Sequence, residues 1–241
     1  MAIRGKTLHP RSDSGLDSES DLFVFGVDEV GAGCLAGPVV AGAFAYKLSA
    51  EWTKEEIPVR IFDSKKLSLP RRLEARDFLS SGLSESAHSI IEVTPERIDK
   101  INILQARMEA MWLAFLDAHK KISAQRNSND FLWRLYVDGN RLPKQTSTWA
   151  ESHDICPLSI KHKMPRLPFK TQIKGDSVIF AIAAASVIAK VYRDQLMANF
   201  ALDSKYASYG WEKNVGYPTP DHKAALNEHG RSDLHRQSFS F

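Results

Sequence analysis

The stretch from Phe23 to Pro38 constrains the fold of this chain more than any other part of the sequence. It begins as an alternating apolar run that continues to Val27, which predicts a strand with two distinct faces. The run ends in Asp28 and Glu29, and a glycine-rich turn follows at once. Adjacent carboxylates repel each other unless a positive charge lies near them, so the pattern indicates metal chemistry.

The glycine-rich turn leaves three interpretations open. It is a plain polar turn after a strand, a dinucleotide-binding fingerprint with the spacing Gly31-x-Gly33-x-x-Ala36, or part of a metal-dependent nuclease. The fingerprint requires a helix at the turn, whereas Val39 to Tyr46 has the pattern of a second strand and predicts a hairpin. The nuclease interpretation depends on other carboxylates in similar positions.

Two further acids meet that condition. A strand predicted over Trp133 to Val137 ends in Asp138, and an extended piece from Phe169 leads to Asp176 at the predicted start of a helix. The alternative role of Asp176 is a plain helix N-cap, which accepts hydrogen bonds from backbone amides. The small residues of that helix predict close packing on the sheet, which would keep Asp176 near the strand ends.

The remaining periodicity predicts strands and helices in one mixed domain. Helices are predicted over 70–79, from Thr94 to a break at 127–130, over 182–190 and over 219–230, and a further strand over 87–93. Residues 141–168 predict a loop, and residues 1–21 predict a flexible polar tail. Residues 22–241 are therefore expected to form the functional domain.

Composition sets outer limits on function. With 241 residues, 43% of them apolar and a formal charge of +3, the chain is typical of a globular protein and compatible with a polyanionic partner. No run approaches the roughly 18 apolar residues of a membrane span, so no membrane association is expected. The two cysteines, Cys34 and Cys156, form no disulfide framework, which predicts the cytoplasm. His153 and His162 near Cys156 lack a fourth ligand for zinc.

An ordered set of motifs resembles the signature of the ribonuclease HII family. The motifs span about residues 23 to 239 and are Gly26-Val27-Asp28-Glu29-x-Gly31-x-Gly33-x-Leu35-Ala36-Gly37-Pro38, Asp63-Ser64-Lys65-Lys66-Leu67, Val137-Asp138-Gly139, Lys174-Gly175-Asp176-Ser177, Ala183 to Asp194, Gly216-Tyr217-Pro218-Thr219 and His235-Arg236-x-Ser238-Phe239. No single motif is decisive, but their shared order is specific.

The resemblance implies an α/β, ribonuclease H-like fold, with a mixed five-stranded sheet flanked by helices and a helical C-terminal portion. It implies an endonuclease that hydrolyses the RNA strand of RNA–DNA hybrids and incises 5′ to ribonucleotides in duplex DNA, leaving 5′-phosphate and 3′-hydroxyl ends. By carry-over, the active-site carboxylates are Asp28, Glu29, Asp138 and Asp176, which would hold two Mg²⁺ or Mn²⁺ ions. A monomer is expected.

The resemblance also implies substrate contacts. They are the backbone of Gly31, Ala32 and Gly33 with the 2′-hydroxyl, Tyr217 with the following sugar, and Lys65, Ser186 and Lys190 with phosphates. A packing role for Tyr217 and a solvated role for each lysine are the alternatives. The family usually has arginine where this chain has Ala32, which predicts weaker binding or an altered preference for single ribonucleotides, with catalysis retained.

Two other functions stay open from the sequence. A catalytically weak nucleic-acid-binding protein of the same fold would account for Ala32, although the intact set of acids argues against it. A dehydrogenase that uses the Gly31 to Ala36 turn is the third candidate. Asp194 lies in a matched motif, but its distance along the helix predicts a structural role.

Overall fold

The computed structural model describes residues 22–49, 61, 67–81, 83–142 and 169–241. The strands are β1 (Leu22–Val30), β2 (Val39–Lys47), β3 (Ser86–Val93), β4 (Leu132–Asp138) and β5 (Phe169–Gln172). The helices are α1 (Leu69–Ser81), α2 (Pro95–Ile101), α3 (Ile103–Arg126), α4 (Phe180–Phe200), α5 (Trp211–Asn214) and α6 (Pro220–His229). The predicted tail, Lys65 and the group of His153, Cys156 and His162 lie outside the described residues.

The five strands form one mixed sheet in the order β3-β2-β1-β4-β5. β1 is antiparallel to β2 and parallel to β4, and its register places Val27 beside Val137. Asp28 and Asp138, the next residue of each strand, therefore lie at the same edge of the sheet. The predicted mixed sheet is confirmed. Because β1 continues into the antiparallel strand β2 with no helix between them, the dinucleotide-binding interpretation is wrong.

The alternation along β1 separates two hydrophobic cores. Phe23 and Phe25 pack with α3 on one face of the sheet, and Val24 packs with α4 on the other. Gly26 faces α4, where a Cβ atom would lie 2.2 Å from the backbone carbon of Ala181. Since glycine has no Cβ, α4 can lie directly against β1. The close approach predicted for this helix is confirmed.

The long helix predicted after Thr94 is divided in two. Asn102 has a φ of 66° and ends α2, and its side chain accepts a hydrogen bond from the Gln105 amide at 3.1 Å, which caps α3. Asparagine tolerates positive φ better than most residues. The prediction of one continuous helix is wrong because the apolar spacing from Ile98 to Leu104 continues across the break.

The C-terminal residues pack on the end of α4 and on the glycine-rich turn. Leu35 of the turn and Met197 of α4 share a core with Trp211. The Gly37 amide donates to the carbonyl oxygen of Leu234 at 2.9 Å, so the last part of the chain pairs with the turn. Among the helices in the described ranges, none has the length and apolar character needed to cross a membrane.

Candidate active site

Acidic side chains from three elements surround one cavity. Asp28 and Glu29 lie near the end of β1, Asp138 is the last residue of β4, and Asp176 lies in a single 3-10 turn after β5. The cavity has a volume of about 450 Å³, and its lining includes Asp28, Glu29, Asp138, Asp176, Ser186, Lys190 and Tyr217. The parallel pairing of β1 with β4 brings these acids together.

The carboxylates accept hydrogen bonds from backbone amides and side chains around the cavity, including one from the Ser186 side chain to Asp28. Asp138 Oδ1 accepts from the Gly175 amide at 2.7 Å, and Asp28 Oδ1 accepts from the Glu29 amide at 2.8 Å. Glu29 Oε1 forms an ion pair with Arg107 at 2.5 Å. Glu29 Oε2 is buried and has no hydrogen-bond partner. The arrangement therefore leaves acceptor capacity inside the protein.

Burial and mutual repulsion raise the pKa of two of these acids. Asp28 is only 9% exposed, and burial, followed by the charges of Glu29 and Asp138, raises its pKa well above the usual range. Burial raises the pKa of Glu29 to about 6, although Arg107 opposes this shift. A bound cation would stabilise the ionised form of both groups.

The donor set fits a divalent cation. Carboxylate oxygens are hard ligands of the kind such ions prefer, and the buried Glu29 Oε2 lacks a donor. Among the described residues, no three His, Cys, Asp or Glu side chains form a ready ligand group. Glu29 and Asp138 instead bind Arg107 and the Gly175 amide. A bound ion would therefore share these two carboxylates with Arg107 and with the Gly175 amide.

Asp176 is not the N-cap of the following helix. It is the middle residue of the 3-10 turn Gly175–Ser177, and Ile179 occupies the N-cap position of α4. The amides of Val178 and Ile179 donate to the Gly175 carbonyl oxygen at 3.0 and 2.8 Å. The N-cap interpretation is wrong because the backbone satisfies these amides, and the Asp176 side chain lines the cavity.

Arg236 binds the carbonyl groups of the glycine-rich turn. It is fully buried and donates to the carbonyl oxygens of Gly31, Ala32 and Gly37 at 2.7, 3.0 and 3.0 Å. Gly31 takes a φ of 87°, which residues with side chains rarely adopt. Within the described part of the chain, the amides of Ala32 and Gly33 have no hydrogen-bond partner. The turn thus directs these carbonyls inward and leaves two amide donors without a partner among the described residues.

Arg193 of α4 binds the other end of the turn. Its guanidinium donates to the carbonyl oxygens of Ala36, Pro38 and Val215 at 3.0, 2.9 and 2.8 Å. Val215 belongs to the loop that carries Tyr217, so one side chain links the turn to this loop. Neither buried arginine has a role that the sequence alone predicts. Their places in matched motifs are the only sequence signal for them.

The predicted substrate contacts are brought to the cavity only in part. Ser186, Lys190 and Tyr217 line it, whereas Gly31, Ala32 and Gly33 follow the lining residue Val30 without lining the cavity themselves. Tyr217 is 37% exposed, which disfavours a role in core packing.

Asp194 lies outside the cavity lining and has basic partners. Its carboxylate pairs with Lys190 at 2.8 Å and with Arg72 of α1 at 3.2 Å. These contacts tie α1 to α4, as the structural role predicted for Asp194 requires. Lys190 thus contacts both Asp194 and the cavity.

Buried histidines support the loop that carries Tyr217. His222 Nδ1 donates to the Tyr217 carbonyl oxygen at 2.9 Å, and His222 Nε2 accepts from Trp211 Nε1 at 3.1 Å. His235 Nε2 lies 3.1 Å from His222 Nε2, and His235 Nδ1 accepts from the Ser232 amide at 2.9 Å. This arrangement requires both rings to be neutral. Burial lowers the pKa of both, that of His235 to about 4.

The stability contributed by His235 is expected to fall as the pH drops from 7 to 5. The folded ring has a pKa of about 4, against about 6.5 for unfolded histidine, so the unfolded chain binds the proton first. The raised pKa values of Asp28 and Glu29 act in the opposite direction, since these groups stabilise the folded chain as the pH falls. The measurement is therefore urea unfolding of the wild type against His235→Asn at pH 7 and pH 5. The unfolding free energy of the wild type minus that of the variant should be about 2 kcal/mol smaller at pH 5 than at pH 7. A constant difference would contradict the neutral arrangement.

This sheet order, with acids at the ends of β1 and β4, defines a metal-dependent nuclease of the ribonuclease H-like class. The family model for ribonuclease HII matches residues 25–241. The chain belongs to the ribonuclease HII family. It is a metal-dependent endoribonuclease of the ribonuclease H type, which acts on RNA–DNA hybrids.

Curated relatives cover nearly the whole chain. The ribonuclease HII of Pelodictyon phaeoclathratiforme is 40% identical over 225 residues, which are 92% of this chain and 91% of the relative. That of Chlorobaculum tepidum is 41% identical over 223 residues, again 92% and 91% of the two chains. These findings confirm the family that the motifs resembled.

Solved structures share the fold at lower identity. The ribonuclease H2 of Pyrococcus horikoshii is 23% identical with a TM-score of 0.61, covering 90% of this chain and 94% of that one. The Archaeoglobus fulgidus ribonuclease HII, solved in complex with PCNA, is 23% identical with a TM-score of 0.56 and coverage of 91% and 96%. A Mn²⁺ complex of Bst ribonuclease HIII is 17% identical, with a TM-score of 0.52 and coverage of 88% and 72%. The ribonuclease H-like fold prediction is confirmed.

Proposed function

We propose that this enzyme incises duplex DNA 5′ to embedded ribonucleotides, besides hydrolysing the RNA strand of hybrids, and leaves 5′-phosphate and 3′-hydroxyl ends. The main support is that the glycine-rich turn, which has amide donors, lies beside the acidic cavity. Ala32 and Gly33 present amides without partners among the described residues. Backbone donors can bind a 2′-hydroxyl, the group that distinguishes a ribonucleotide from its deoxy neighbours. Because this contact involves one sugar, a single ribonucleotide is sufficient for recognition.

We propose that the cavity holds two divalent ions, Mg²⁺ or Mn²⁺. The ligands would be the four acids of its lining, Asp28, Glu29, Asp138 and Asp176. The Mn²⁺ complex of the related ribonuclease HIII supports this assignment of metal type. When bound, such ions lower the pKa of the attacking water and stabilise the departing 3′ oxygen. The proposed task of the chain is to hold these acids close together and ionised.

The same proposal assigns the other lining residues to the substrate. Ser186 and Lys190 lie one turn apart on α4 and line the cavity, where they would bind a backbone phosphate. Tyr217 would stack near the sugar that follows the ribonucleotide. Lys65, from a matched motif outside the described residues, is proposed as a further phosphate contact.

We further propose that residues 22–241 act as one catalytic unit that includes the C-terminal helical portion, with residues 1–21 as a tail outside it. Support comes from the contacts between the chain's last segment and the glycine-rich turn. The Arg236 amide donates to the Leu35 carbonyl oxygen at 2.8 Å, so the substrate turn depends on both regions. We also propose that the enzyme acts as a monomer, which light scattering would test, and that it acts in the cytoplasm, which cell fractionation would test.

The function is tested by cleavage of a DNA duplex with one ribonucleotide and of a long RNA–DNA hybrid, each with Mg²⁺, Mn²⁺ or EDTA. We expect metal-dependent incision 5′ to the single ribonucleotide, mapped on a sequencing gel. Cleavage of the hybrid alone would overturn the proposed activity at single ribonucleotides. Binding without incision under any metal would support the alternative, a catalytically weak nucleic-acid-binding protein.

Ala32→Arg is expected to tighten binding of the ribonucleotide-bearing duplex by about 10- to 100-fold, because a guanidinium at the turn adds a charge-assisted phosphate contact. The measurement is the KM for that duplex and its ratio to the KM for the hybrid. Ala207→Arg adds the same charge at an exposed position outside the cavity lining and serves as the control. Equal affinity and substrate preference in wild type and Ala32→Arg would contradict the role assigned to position 32.

A further inference from the structure

Glu29, one of the four lining acids, forms an ion pair with Arg107 of α3. It follows the alternation of β1 onto the face that packs against α3, where Arg107 approaches its Oε1 atom at 2.5 Å. Glu29 lines the cavity, but Arg107 does not. The guanidinium therefore contacts this acid from α3, and it is placed to act on Glu29 and not directly on a substrate in the cavity.

The ion pair leaves one atom unsatisfied on each partner. Glu29 Oε2 and Arg107 Nε are both buried and lack hydrogen-bond partners. A guanidinium and a carboxylate bind most strongly through two parallel hydrogen bonds, so this one-sided contact falls short of the strongest arrangement. A second oxygen on Glu29 therefore remains available as an acceptor.

Arg107 adds a positive charge beside the cavity from outside its lining. Four carboxylates and two lysines, Lys174 and Lys190, line the cavity, and Lys190 also pairs with Asp194, outside the lining. Arg107 offsets the charge of Glu29 from the side of α3. A divalent ion at Glu29 would meet the repulsion of this guanidinium and compete with it for the same carboxylate.

We propose that Arg107 is a positioning residue that acts as an internal counter-cation, competes with the divalent ion for Glu29 and thereby weakens ion binding. The inference rests on the proposed role of Glu29 as a metal ligand. Arg107 would keep the acids close together before the ion binds and would release Oε1 when it does. Replacing Arg107 with a neutral residue adds one net negative charge to the site and removes the competitor.

The test is Mn²⁺ binding at pH 8 without nucleic acid, followed by electron paramagnetic resonance of unbound Mn²⁺. Arg107→Gln is expected to lower the Kd for Mn²⁺ by about 10- to 100-fold, because it removes one positive charge that lies a few ångströms from the ion. Arg107→Met, which keeps much of the side-chain volume, is measured in parallel, so that the result does not rest on the folding of one variant.

Arg97→Gln is the matched control. Arg97 pairs with Glu109 of α3 at 3.0 Å, and neither residue lines the cavity. The Arg97→Gln variant should bind Mn²⁺ with a Kd within about twofold of that of the wild type. In a Glu29→Gln background, Arg107→Gln should lose most of its effect, because the shared carboxylate is gone.

The outcomes separate this inference from the proposed function. If the wild type binds Mn²⁺ and the neutral Arg107 variants bind it equally well or more weakly, the counter-cation role is overturned while the metal site stands. If the wild type binds no Mn²⁺, the proposed metal site itself fails. A lower Kd in the Arg107 variants, with a matching fall in the Mn²⁺ concentration for half-maximal cleavage, supports the inference.

Discussion

Asp138→Asn is expected to reduce metal-dependent cleavage on the order of 10³-fold or more, because it removes one charged ligand from the acidic cavity. The fold should persist, since asparagine can still accept the hydrogen bond that Gly175 donates to Oδ1 at 2.7 Å. The charge of Asp138 also raises the pKa of Asp28 and Glu29, so its removal relieves repulsion. The measurements are the single-turnover cleavage rate in saturating Mg²⁺ and the melting temperature.

Asp77→Asn is the control for that variant. Asp77 is an exposed acid of α1 that lies outside the cavity lining and pairs with Arg76. It should keep the wild-type rate and stability. Cleavage by Asp138→Asn within about tenfold of wild type would remove Asp138 from the mechanism.

Arg236→Lys is expected to lower the unfolding free energy by about 2–4 kcal/mol and to raise the KM for substrate. Burial lowers the pKa of Arg236 to about 10, so the guanidinium is charged at neutral pH. Lysine keeps the charge but not the planar fork that binds the carbonyl groups of Gly31, Ala32 and Gly37. Carbonyls left without donors inside the protein are costly, and the turn should lose its shape.

The loss is measured by urea unfolding together with cleavage of the ribonucleotide-bearing duplex. Arg71→Lys, at an exposed position of α1, should change neither quantity. If Arg236→Lys unfolds at the wild-type urea concentration and keeps the wild-type KM, the turn does not depend on the buried fork. A change in stability alone would show that Arg236 supports the fold but not substrate binding.

Much of the site follows from local sequence chemistry. The alternation of β1 predicted both its faces and the position of Asp28, because side chains in a strand point to opposite sides in turn. The same argument placed Asp138 at the end of β4. The ordered motifs then indicated the family. Asp176 was expected to lie near these acids, at the start of a helix. It lies instead in a 3-10 turn, because such a turn and a helix start have similar sequence signals.

The break between α2 and α3 shows a similar limit. The apolar residues keep helical spacing across Asn102, so periodicity alone predicts a single helix. The structure ends one helix and starts the next at this residue because its side chain caps the Gln105 amide. Asparagine is the one local signal for such a change, and it also occurs inside helices.

The amino-acid sequence by itself determined the strands, the family and which four acids line the cavity, because periodicity and motif spacing are local properties. Only the tertiary structure decided which positive charges meet those acids and the turn. Arg107 reaches Glu29 from another secondary-structure element, and Arg236 binds Gly31 across 205 residues of sequence. Such contacts depend on how α3 and the C-terminal segment pack on the sheet, and no local pattern encodes the distance between guanidinium and acceptor.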